Sequence, residues 1–234
     1  MEDRLRALGG RLRELRAQAP LLDVFVRRCL ESMRWGGSAV LMVVDAALTS
    51  SGFNYFTSII PAVLKFKRAF VDTGRVASLE DLARADPDEF LPVWRNRRMW
   101  HVARGVAEAL LSYGGPDDRS RLREWARRST LEGRRADPVG SVKGVGVVTY
   151  QYLRMMGGVD TAMPDRVVKS FVRRVGALVG VEVPWGDVEF VRFVEAVARA
   201  GGPRPTEVTW MAWLVDSEGE KVLSRKYSDV LDLI

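Results

Sequence analysis

Two features of this chain have residue types and spacing suited to chemistry, and both lie within residues 139–174. Asp165 follows Pro164 and opens a segment whose apolar positions include Val168 and Phe171. A carboxylate at the start of a helix can serve as an N-cap, accepting hydrogen bonds from the first-turn N–H groups. It can equally be a catalytic carboxylate, and the residue alone leaves both readings open. The rest of the composition narrows the chemistry. There is one cysteine, Cys29, and one histidine, His101. One thiol excludes an internal disulfide, a four-thiolate zinc site and a four-cysteine iron–sulfur cluster. Catalysis in this chain is therefore expected from carboxylates, lysines, hydroxyls or backbone groups, with His101 in a structural role.

The second feature is the run Val142-Lys143-Gly144-Val145-Gly146-Val147-Val148-Thr149. Two glycines one residue apart let the backbone turn through positive φ and approach a partner closely. Val145 between them can plug into the core. If a helix begins after Gly146, its unpaired N–H groups and the positive end of its dipole point outward together. Such an end binds a phosphate without reading sequence. A plain tight turn between two helices is the simpler reading of the same residues.

Together with the residues downstream of it, this run resembles the helix-hairpin-helix, Gly/Pro-rich loop, Asp superfamily of DNA glycosylases. That family carries roughly L-P-G-V-G-x-x-T-A, then a helix, a loop and a Pro/Asp segment opening another helix. Here Val142 to Tyr150 matches the first part, with Lys143 in place of the usual proline. Gly157-Gly158 supplies the loop and Ala162-Met163-Pro164-Asp165 the acidic residue. Leu48-Thr49-Ser50-Ser51, the stretch 76–83 and Trp210 to Leu214 resemble flanking family segments more loosely.

The resemblance implies a DNA glycosylase of base excision repair that flips a damaged or mismatched base out of a duplex. As the N-glycosidic bond breaks, positive charge builds on the sugar, and Asp165 would stabilise it and orient water. Asp160 is the rival carboxylate and reads as a loop residue. Gly144, Val145, Gly146, Val147, Val148 and Thr149 would hold a DNA phosphate, and the hairpin could take a monovalent cation. Ser51, Phe53, Asn54, Tyr55, Tyr150 and Trp210 are candidates for the base pocket or for filling the vacated stack. Lys143, Arg95, Arg97 and Arg98 are candidate backbone contacts, and Arg119, Arg123 and Arg127 form a basic stripe at four-residue spacing. Strand-cutting relatives carry a Schiff-base lysine at the position of Val148, so the expectation is a monofunctional enzyme without an iron–sulfur cluster. Lys143 or Lys169 would be the displaced lysine of a bifunctional alternative. A non-catalytic helix-hairpin-helix DNA-binding protein is the other.

The elements that must position these residues read as helical nearly throughout. Leu5, Leu8, Leu12 and Leu15 form an apolar stripe, weakened by Gly9-Gly10. Further helices are expected over 21–29, 38–48, 56–70, 98–111, 117–132, 149–156, 165–175, 187–200 and 206–215. Short ones are expected after the capping signal at Ser78 and the Asp86-Pro87 start. The fold class is all-α, about ten helices in one 234-residue unit with two helical subdomains and a cleft between them. One subdomain spans about 38–132. The other combines 1–37 with 133–234 and carries the hairpin (139–158) and Asp165. Lys+Arg number 36 against 30 Asp+Glu, a net +6 that favours a polyanionic partner such as lesion-bearing double-stranded DNA. The longest apolar run, 39–48, is broken by Asp45 and is too short to span a bilayer. The expectation is a soluble intracellular monomer, cytoplasmic or at the nucleoid, with no membrane partner.

Overall fold

The computed structural model describes residues 2–216 and 219–234, with Glu220 described by its backbone alone. The described residues form twelve α-helices and no strand, so the chain is all-α. No helix among them is long and apolar enough to cross a membrane.

Helix starts follow the capping chemistry of the sequence. Ser38 accepts from Leu41 N to open α3 (Ala39–Thr49). Ser78 and Asp81 exchange the reciprocal bonds of a capping box at α5 (Leu79–Arg84). Asn96 accepts from Arg98 N at α6 (Arg97–Leu110), and Asp117 from Ser120 N at α7 (Asp118–Arg128). The Gly9-Gly10 pair lies inside α1 (Glu2–Leu15). A Cβ at Gly9 would lie 2.7 Å from Gly202 Cα, so this glycine serves close packing of two backbones. The single helix expected over 56–70 is instead α4 (Ile60–Phe66) between two wide π-type turns, Tyr55–Ile59 and Lys67–Val71. Pro61 withholds the N–H that an uninterrupted α-helix would need there.

The remaining helices are α2 (Leu22–Leu30), α8 (Val147–Met156), α9 (Arg166–Leu178), α10 (Asp187–Arg199), α11 (Pro205–Met211) and α12 (Gly219–Lys226). α6 lies against α3 and α5, α2 against α11 and α1 against α10, while α3 and α7 rest on α8. One continuous hydrophobic core runs through these helices. The approach to the hairpin is not a regular helix. α7 ends at Arg128, and only a 3-10 turn (Glu132–Arg135) and a chain of turns precede Gly144. Asp137 holds those turns by accepting from Val139 N (2.9 Å), Gly140 N (3.0 Å) and the Trp125 indole (3.0 Å).

Candidate functional site

Asp165 is the N-cap of α9. Its Oδ1 accepts from Val168 N at 2.7 Å, and its Oδ2 accepts from the Trp213 indole N–H at 2.8 Å. The residue is half-buried. Burial pushes its carboxyl above the ordinary aspartate value, while the two N–H donors favour the ionised form and oppose that shift. Each carboxylate oxygen has two acceptor positions, so both hydrogen bonds leave capacity for a further donor.

The loop that delivers Asp165 is fixed from below. Gln151 Nε2 in α8 donates to Thr161 Oγ1 at 2.6 Å, and its Oε1 accepts from Arg154 Nη1 at 2.7 Å. Thr209 Oγ1 accepts from Met163 N at 3.1 Å. The carboxylate of Asp160 accepts from Thr206 N at 3.1 Å, which makes it a support for α11 and not a partner of Asp165.

Behind Trp213 lies a buried polar cluster that sequence reasoning missed. Tyr55 stacks on Trp213 with ring centroids 4.6 Å apart. The Tyr55 hydroxyl donates to Asp45 Oδ2 at 2.9 Å, as does Tyr152 at 2.9 Å, and the Trp35 indole at 2.7 Å. Arg34 Nη2 sits 3.7 Å from the same oxygen, and both Arg34 and Asp45 are wholly buried. Burial works to raise the Asp45 carboxyl, and Arg34 with the three donors works against it. Burial also pushes Tyr55 and Tyr152 well above the usual phenol range, so both remain protonated donors at neutral pH. Asp45 as the lone acid within the most apolar run was the available signal, since an unpaired charge is almost never fully buried.

At the hairpin, Gly144 has φ +102°, and a Cβ there would come 2.7 Å from Val102 Cγ2. The Arg98 Nε would be 3.6 Å from that same point, so the guanidinium stands beside the hairpin. Val145 is buried, as its apolar side chain requires. Gly146 is the N-cap of α8; no side chain caps this end, and the space where its Cβ would stand is open. Val147 and Val148 are half-buried, and Thr149 is buried with no hydrogen-bond partner for its hydroxyl among the described residues.

The other sequence-based candidates separate. Lys143, Arg95, Arg97 and Arg98 are exposed, with Arg97 paired to Asp88. Phe53 is 61% exposed at a loop tip and meets Trp94 edge-on. The Asn54 side chain caps the turn at Thr57, and the Ser51 hydroxyl is tied to the Leu48 carbonyl. Three aromatic candidates are core residues here, because each has polar or ring partners that hold it inside. Tyr150 is fully buried, with its hydroxyl on the Thr130 carbonyl and its ring against Trp125. Trp210 is fully buried beneath the Arg34 guanidinium and donates to Cys29 Sγ. Tyr55 is buried in the Asp45 cluster, and of these three it alone stacks on the indole that binds Asp165.

Lys169 is paired with Asp187 and donates to the Trp185 carbonyl. Arg119 and Arg123 bind Glu31 O and Ser32 Oγ, and Arg127 pairs with Glu124, so the basic stripe of α7 is largely engaged within the protein. His101 is exposed on α6, in contrast to the structural role expected of it.

Two of the hairpin carbonyls take hydrogen bonds from within the protein. Val142 O accepts from Val145 N, and Val145 O accepts from the positively charged Arg134 at 3.2 Å. Compared with family models, with curated proteins and with solved structures, the chain matches none of them.

Proposed function

We propose that this chain is a monofunctional DNA glycosylase, with Asp165 as its catalytic carboxylate. The observation that carries the reading is the setting of Asp165. It is held at a helix start by one backbone and one indole N–H, raised by burial, and left with acceptor capacity on both oxygens. Perturbed carboxylates of this kind gather at reaction centres. The hairpin adds an uncapped helix end with Lys143 and Arg98 near it, a suitable seat for a DNA phosphate. Phe53, exposed at its loop tip, is suited to enter the stack left by a flipped base.

In the proposed reaction the bond between the sugar C1′ and the base nitrogen breaks, and its electron pair leaves with the base. Asp165 stabilises the positive charge left on the sugar. Water adds at C1′, Asp165 takes the one proton it releases, and that proton passes on to the departing base, which returns Asp165 to its ionised form. Val148 occupies the position of the nucleophilic lysine, and Lys169 is engaged by Asp187. No imine is therefore expected, and borohydride should trap no protein–DNA adduct.

A second reading has its own observation. The same two hydrogen bonds give Asp165 a structural task as the cap of α9, which suits a non-catalytic DNA-binding protein. Asp165→Asn separates the two, because asparagine caps as well as aspartate. Duplexes carrying uracil, hypoxanthine, 8-oxoguanine, 3-methyladenine or a mismatch would be scored for base release and, separately, for binding. The enzyme reading expects base release from at least one duplex by the wild type, lost in the variant while binding persists. Release that survives the substitution removes Asp165 from the chemistry.

A further inference from the structure

Trp185 is 78% exposed, an unusual position for the largest apolar side chain. It is also firmly held. The Lys169 ammonium donates to the Trp185 carbonyl at 3.1 Å, and Arg173 donates to the neighbouring Pro184 carbonyl at 2.8 Å. The Arg173 guanidinium lies against the indole, 3.3 Å from the ring centroid. Gly176 lets the loop close onto α9, since a Cβ there would meet Val181 O at 2.9 Å. Two side chains and a tight backbone contact thus fix a loop whose tip leaves the indole face away from Arg173 exposed.

The surroundings of that face divide by chemistry. On one side a groove of 540 Å³ is lined by Arg166, Lys169, Ser170, Arg173 and Trp185. Asp187 neutralises Lys169, and among the described residues neither Arg166 nor Arg173 forms a salt bridge. Arg173 Nε has no hydrogen-bond partner among the described residues. A second hollow of 430 Å³ shares Trp185 as a wall, with Leu5, Val183, Pro184 and Phe193 as its apolar lining and Arg4 and Glu182 as one charge of each sign. Two unpaired cations beside a rigid, exposed indole are the combination by which proteins hold a single nucleic-acid strand, charge on the phosphate and a ring under the base.

We propose that this groove is a second nucleic-acid subsite that takes an unpaired nucleotide of the DNA strand. Its phosphate lies between Arg166 and Arg173, and its base stacks on Trp185. The proposal rests on the reading of Asp165 as a DNA-directed carboxylate and extends it along the strand. Arg166 adjoins Asp165 in sequence, and Arg173 is about 10 Å further along the helix at 1.5 Å per residue. A strand with one nucleotide at Asp165 would therefore pass the groove. The site asks for no base identity, because every base has a face to stack.

The test is a fluorescence-anisotropy titration of the full chain with a labelled single-stranded DNA oligonucleotide and with an intact duplex of the same length. Trp185→Ala should weaken single-strand binding by about 10- to 100-fold, the usual range for a lost stacking platform, with a smaller effect on the duplex. Trp185→Phe should restore most of the affinity. Arg166→Gln should lower the slope of log affinity against log salt by about one, as expected for a lost phosphate contact. Single-strand affinity unchanged in both Trp185→Ala and Arg166→Gln overturns the subsite. That failure leaves the catalytic reading intact, since that reading is judged by base release in Asp165→Asn. A wild-type protein that binds neither DNA overturns both.

Discussion

At the residue scale, Asp165 carries more than the bond to the first turn of α9 that a cap requires. Burial disfavours its charged form, and the indole N–H of Trp213 partly restores it. The sign of the consequence is definite. If the ionised form is the active one, base release is lost as pH falls through a value above the ordinary aspartate range. Trp213→Phe removes a donor to the charged form, so the carboxyl must rise further and the acidic limb of the pH–rate profile must move to higher pH. An unmoved limb in that variant would separate Trp213 from the chemistry. The same residue connects outward, because Tyr55 stacks on its ring and binds Asp45 behind it. Under the proposed reading Trp213 is a positioning residue, held in turn by Tyr55 of the buried hub.

At the scale of elements, the hairpin and α8 act as one piece. Gly144 and Gly146 look equivalent in sequence, yet the structure assigns them different work. Gly144 needs φ +102° and has Val102 behind it, so any side chain there is both strained and crowded. Gly144→Ala should destabilise the fold by about 1–3 kcal/mol, the usual range for a residue forced into a sparsely populated backbone region. Gly146 has φ −86° and open space around it. Gly146→Ala should leave stability within about 0.5 kcal/mol. Under the proposed reading, it should still weaken DNA binding by placing a methyl group between the helix end and the phosphate. Chemical denaturation with a parallel binding titration checks both halves. Equal stability losses in the two variants would contradict the division of labour.

At the scale of the whole molecule, the Asp45 hub joins elements that are distant in the chain. Trp35 and Arg34 reach it from the turn before α3, Tyr55 from the turn before α4, and Tyr152 from α8. Arg34 also binds the Ile234 carbonyl, drawing the last described residues onto the same cluster. Removing the acid strands a buried guanidinium and four donors, the fourth being the Thr49 hydroxyl on Oδ1. Asp45→Ala should therefore cost about 3–5 kcal/mol, the range for breaking one partner of a buried ion pair. Urea denaturation would measure it, and a loss below about 1 kcal/mol would mean that water or rearrangement replaces the carboxylate. Because the hub stands behind Trp213, Asp45→Asn should also perturb Asp165, which ties stability and the candidate site to one cluster.

The sequence by itself determined the helices and the local chemistry at their ends. Ser38, Ser78, Asn96, Asp117 and Asp165 are all N-caps, legible because capping couples residues only two or three apart. The positive φ of Gly144 and the burial of Val145 were legible for the same reason, as was the all-α class. Tertiary structure alone decided which residues meet across the chain. Nothing local links Trp213 to Asp165, 48 positions apart, or Tyr152 to Asp45, 107 positions apart. It also placed Tyr150 and Trp210 in the core, and it set Trp185 on the surface beside Arg173. An aromatic side chain has the same apolar area whether it packs inside or waits for a base, and only the partners brought by the fold separate the two.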